Sequence, residues 1–90
     1  MIDPALPGNE WIQTGIRDLA FEKLTLAALL VSIGAPRLRT LGIAVPDPII
    51  NDAEHRLYQE LYLLHGDAAH SRYNALIRRL VSFERAACAG

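Results

Sequence analysis

The sequence predicts an all-α protein: an antiparallel helical hairpin or three-helix unit that dimerises through its long helices. Three observations carry this. In the last third, Ala69, Tyr73, Leu76, Leu80, Phe83 and Ala87 recur at spacings of four, three, four, three and four. That period is the seam of a helix packed lengthwise against another helix. The chain is 51% apolar but only 7% aromatic, so Leu, Ala and Ile, the usual content of helix interfaces, dominate it. Apart from Gly15 and Gly90, prolines and glycines fall at residues 1–8, 34–48 and 66, leaving helix-length stretches between them.

Ninety residues make a single domain, 1–90. A chain this short buries a modest share of its surface. It has little interior in which to hide so much Leu and Ile, so self-association or a partner is the expected outlet.

Residues 1–8, with two prolines and a glycine, are expected to be irregular. Asn9 caps a first helix over 10–33, whose seam is Ile12, Ile16, Leu19, Leu26, Leu30 and Ile33. A second line, Phe21, Leu24, Ala28 and Val31, runs along another face, so the second half of this helix is apolar nearly all round. Gly34 takes the left-handed position after the helix and Pro36 blocks its continuation. Residues 34–50 form a Pro-rich linker, with one helical turn from Pro36 to Leu41 ended by Gly42. Ile43, Val45, Ile49 and Ile50 are too apolar for a free loop and are expected to lie across the helices and seal them. Asn51 and Glu54 read as a capping box opening a second helix over 52–65, with Leu57, Leu61 and Leu64 on one face and Tyr58 and Tyr62 beside them. Continuing that phase puts apolar positions near 68, 71 and 75, whereas the next seam runs 69, 73, 76. The register slips at Gly66, so a break falls there, and a third helix follows over 68–87. Leu19, Leu24, Leu26, Leu30, Ile33, Leu76, Leu80 and Phe83 form the expected core and dimer surface.

The net charge is −1, which gives no overall attraction to nucleic acid or an acidic membrane. Residues 1–66 are acidic on balance and residues 67–90 basic. The longest apolar stretch, Leu24–Ile33, is half of what a bilayer requires, and residues 1–10 carry no basic run of the secretory kind. A lone cysteine, Cys88, suits a reducing compartment. A cytoplasmic location, with no membrane or direct nucleic-acid partner, is expected.

No metal or cofactor is expected. His65 and His70 are five apart and straddle Gly66, whereas two ligands on one helix need a spacing of three or four. No Ser-His-Asp grouping, phosphate-binding glycine loop or C-x-x-C is present. The stretch Asp47-Pro48 to Glu54-His55-Arg56 superficially resembles small helical chorismate mutases, but their chemistry needs Arg and Lys clamping a dicarboxylate. Here the only lysine is Lys23, and the first helix is expected to end before Arg37 and Arg39. The second and third helices imitate a helix-turn-helix. Yet the third opens with Ala68, Ala69, His70 and Ser71, a poor set for reading base edges.

The four arginines of the third helix divide in two. Arg72 and Arg79 border the seam, where Asp18, Glu22, Glu54 or Glu60 are candidate mates; Arg78 and Arg85 point away from it. Ile77 and Val81 widen the apolar surface on the other flank. Ile77, Arg78, Val81 and Arg85, with Arg72 and Tyr73, are therefore the candidate partner-binding residues.

Gly66 to Tyr73 reads G-D-A-A-H-S-R-Y before a long amphipathic helix. This resembles the TraM quorum-sensing anti-activators, whose C-terminal helix follows a G-x-x-x-H-x-R-Y pattern, matched here by Gly66, His70, Arg72 and Tyr73. Leu6-Pro7 and Ile16-Arg17 look similar as well, while the linker and second helix stand as an insertion. The resemblance implies a two-helix antiparallel core, a homodimer, and capture of a LuxR-type transcription activator, with no catalytic residues. The expected role is a non-enzymatic protein-interaction module that sequesters a transcriptional regulator.

Overall fold

The computed structural model describes residues 8–46 and 49–89. They form α1 (Asn9–Ala20), α2 (Leu26–Thr40), α3 (Ala53–His65), a 3₁₀ turn (Gly66–Ala68) and α4 (Ala69–Ala89), with no strand among the described residues. Apart from Gly8, the segment expected to be irregular lies outside them, as do Asp47 and Pro48 of the linker.

The helix expected over 10–33 is two helices. After Ala20 the backbone turns at Glu22, whose φ is +58°. Glu22 N–H bonds Leu19 O and Lys23 N–H bonds Asp18 O, the paired bonds of a Schellman stop. Thr25 then opens α2: its hydroxyl accepts from Ala28 N–H at 3.1 Å and donates to Asp18 Oδ2 at 2.8 Å. The cap of one helix is thereby tied to the last turn of the other. Because the chain turns here, Phe21 and Leu24 do not continue the line of Ala28 and Val31. Both are exposed, so Leu24 is not part of the core.

The other end of α2 also differs from expectation. Gly34 and Pro36 lie inside the helix rather than ending it. Gly34 is buried against Leu80 of α4, where a Cβ would come within 2.7 Å of Leu80 Cδ1. Pro36 removes one N–H from the ladder, but buried Ala35 and Leu38 hold the last turn on the core. The stop comes at Gly42, with φ +86°: Gly42 N–H bonds Arg39 O, and Ile43 N–H bonds Leu38 O. The turn expected over Pro36–Leu41 is thus the end of α2.

α2 is the central element, with Ala27, Ala28, Leu29, Leu30, Val31, Ser32, Gly34, Ala35 and Leu38 all buried. An apolar surface on every side needs cover on every side, and α1, α3 and α4 all pack on it. The linker supplies the rest. Val45 is buried, Ile43, Ile49 and Ile50 pack on the core, and Ile50 N–H donates to Ser32 Oγ at 3.1 Å. The sealing role read from its sequence holds. α1 lies close against α2 at Gly15, where a Cβ would overlap Ala27 O and Val31 Cγ2.

The expected capping box at α3 does not form. Its N-cap is Asp52, at φ +59° and without a side-chain bond. Leu57 and Leu61 are buried, but Leu64, placed on the same face from sequence, is exposed. Gly66 ends α3 at φ +57°, and α4 begins three residues later. Ala69, Leu76, Leu80 and Phe83 are buried and Tyr73 and Ala87 partly so, as the seam predicted.

Candidate protein interface

The residues singled out for partner binding fall into three settings. Arg78 and Arg85 are exposed on the outer side of α4. Ile77 and Val81 are half-buried, and Ile77 packs against the core, so it does not form a free apolar face beside those arginines. Tyr73 is half-buried with its ring edge-on to Tyr58, centroids 5.8 Å apart. Burial, and secondarily the Glu54 carboxylate, raises its phenol above the usual tyrosine value.

Arg72 and Arg79 have a different environment from the one expected. No ion pair to Asp18, Glu22, Glu54 or Glu60 is found for either among the described residues. Instead, seven apart on one flank of α4, they border a hollow of about 180 Å³ to which all four helices contribute. Trp11 comes from α1, Leu26 from α2, Leu61 and His65 from α3, and Ala75 and Leu76 from α4. Leu61 and Leu76 are buried beneath it, while Trp11 and Leu26 are half-buried along its sides. Gly8 fixes the α1 wall, since a Cβ there would come within 2.9 Å of Arg79 O.

Another hollow, of about 510 Å³, lies between α2 and the start of α3, beside Ser32, Ile49, Ile50 and Asn51 to His55. Its one buried polar side chain, Ser32, already takes the Ile50 N–H. A third hollow of about 290 Å³ runs from the end of α1 to the linker, along Leu19, Leu24, Pro46 and Ile49.

Charge inside the fold is sparse. Glu84 is 7% exposed, and its Oε2 has no hydrogen-bond partner. Burial pushes its carboxyl above the ordinary glutamate value, and the Arg37 guanidinium pulls it back in part. Arg37 and Arg39 are helical after all, but both are exposed, and Arg39 donates to the Val45 and Pro46 carbonyls. They do not form the buried cationic clamp of a mutase. His65 and His70 do not come together with acidic residues or Cys88 as a metal site among the described residues. No described helix is long and apolar enough to cross a membrane.

Among the described residues, large apolar side chains are more than half exposed in two places. One is the α1–α2 corner, at Phe21 and Leu24. The other is the last turn of α3, where Tyr62, Leu63 and Leu64 are 57%, 78% and 62% exposed. By contrast Leu19, Leu30, Leu76, Leu80 and Phe83 are consumed inside the chain. Leu26 and Ile33 are half-buried against the same core. The surface expected to drive dimerisation is therefore largely satisfied within one chain.

Sequence reasoning reached Arg72 but missed Trp11, Leu61 and His65 as its neighbours. The available signal was the pairing of Arg72 and Arg79 on one flank of the seam. Their mates come from three other helices and have no fixed spacing to them. Comparison with known protein families, with curated proteins and with solved structures finds no match to this chain.

Proposed function

We propose that this chain is a small helical protein-interaction module that holds a transcriptional regulator, in the manner of the TraM anti-activators it resembles. The observation that carries the reading is the last turn of α3. Three consecutive large apolar residues, Tyr62, Leu63 and Leu64, stand in solvent between two residues that line the four-helix hollow, Leu61 and His65. Burying a leucine side chain is worth about 1.5–3 kcal/mol, so this turn gains substantially from a partner. A homodimer through the same turn is the form self-association would take.

The test is affinity capture from the native host with the wild-type chain and with Leu63→Asp/Leu64→Asp. A LuxR-type protein held by the wild type and lost by the variant is the expected result. Recovery of chromosomal DNA in its place, unaffected by the variant, would replace this reading with that of a DNA-binding regulator.

A further inference from the structure

We propose that the hollow between α1 and α4 docks an acidic segment of a partner protein by a single bulky apolar side chain, an inference that rests on the interaction-module reading above. The floor is apolar, made by Leu61 and Leu76, with Leu26 and the Trp11 ring along its sides. At about 180 Å³ it falls below the ~300–1,000 Å³ of small-molecule sites, so it suits one side chain rather than a metabolite. The rim is cationic. Arg72 and Arg79 flank the opening from one side of α4, and His65 adds a ring that can donate. No carboxylate among the described residues lines the hollow; the adjoining one on Trp11 carries Glu10. Neither arginine is in an ion pair among the described residues, so their guanidinium forks remain available to carboxylates on either side of the anchor.

Charge complementarity selects the occupant. An apolar hole between two arginines fits a leucine or aromatic residue flanked by Asp or Glu, and disfavours a basic segment. Trp and Arg are also the residue types on which interface energy concentrates when they surround a water-excluding pocket. Nucleic acid would use the arginines but leave the apolar floor empty.

A phage-displayed library of random peptides, selected against the full chain, tests this. Enriched sequences should share one Leu, Phe or Trp flanked by acidic residues. A synthetic peptide of that sequence should change the fluorescence of Trp11, the only tryptophan. Replacing the anchor by Ala, or the protein's arginines by Arg72→Ala/Arg79→Ala, should weaken binding by about tenfold or more. Both arginines are exposed, so the double variant should keep its helicity and Tm. Selection with Arg72→Glu/Arg79→Glu should enrich basic flanks instead. Enrichment of neutral or basic peptides by the wild type, or peptides that bind the double variant equally well, would overturn the groove assignment while leaving the module reading standing. Displacement of the peptide by duplex DNA at ~150 mM salt would overturn it in favour of phosphate binding. If nothing is enriched, the groove assignment falls, and the module reading is decided separately by the capture experiment on the α3 turn.

Discussion

α2 and the last turn of α3 are both runs of large apolar residues, and they meet opposite fates. Leu29, Leu30 and Val31 are fully buried, while Tyr62, Leu63 and Leu64 are mostly in solvent. Nothing in the residue types separates them. The difference lies in what returns to cover them. α2 has a helix before it and two after it, and the linker crosses its exposed side at Ser32. α3 rests on α2 and α4 through Ala53, Leu57 and Leu61, with Tyr58 against Tyr73, and the chain leaves its last turn through a single 3₁₀ turn into α4. An apolar run thus states a demand for cover, and the connectivity decides whether the chain itself supplies it.

The contrast can be broken by substitution. Leu30→Ala should cost ~2–5 kcal/mol in chemical unfolding, because Leu30 is fully buried in the core and its loss leaves a cavity. A cost below 1 kcal/mol would mean that α2 is not the enclosed centre. Gly15→Ala should cost ~1–3 kcal/mol or more, since the added methyl meets the Ala27 carbonyl, which is backbone and cannot swing aside; an unchanged Tm would separate α1 from α2.

Glu84→Gln sharpens the contrast from the α4 side. Burial raises the folded carboxyl above its ordinary value of 4.5. The folded state therefore holds the proton more tightly than the unfolded chain. The stabilisation from that acid is full below the unfolded value and is lost as pH rises through the folded one. The variant should match wild type near pH 4 and melt higher at pH 7. The gain should be on the order of 1 kcal/mol, the low end of the cost of a buried unpaired acceptor. Equal melting temperatures at both pH values would show that Glu84 reaches water or a mate.

Glu22→Gly should add ~0.5–1 kcal/mol by relieving a left-handed residue that carries a Cβ. Leu63→Ala should change stability by no more than ~0.5 kcal/mol in the isolated chain. A loss comparable to that of Leu30→Ala would instead reveal that the α3 turn is already covered in solution, by a second copy.

Legibility in the sequence followed how each signal is encoded. The α4 seam was read in full because five spacings in succession fix one face. Gly66 was read because the phase slips at the only residue type indifferent to φ +57°. The α1–α2 turn was not, because its left-handed residue is Glu22, where glycine or asparagine is the usual mark. Its start signal, Thr25, is an isolated polar residue inside the apolar stretch Leu24–Ile33. Gly34 misled in the opposite sense. It is glycine because Leu80 packs against it, a reason that exists only once α4 is docked. The same holds for the four-helix hollow, whose Arg72 and Arg79 were visible as a pair but whose floor was not.

The hydrogen bond from Thr25 to Asp18 has a kinetic side. It closes a loop of seven residues, and the Gly15 crossing lies just beyond it, so α1 and α2 can meet with little loop entropy to overcome. α3 and α4 are joined by an equally short connection. The chain thus has two pairs of helices with short connections, and the packing of α3 and α4 on α2 joins them across the linker. Chains with such local wiring reach the native state in microseconds to milliseconds. Nascent α2, apolar on nearly every side, is then shielded almost as soon as it forms.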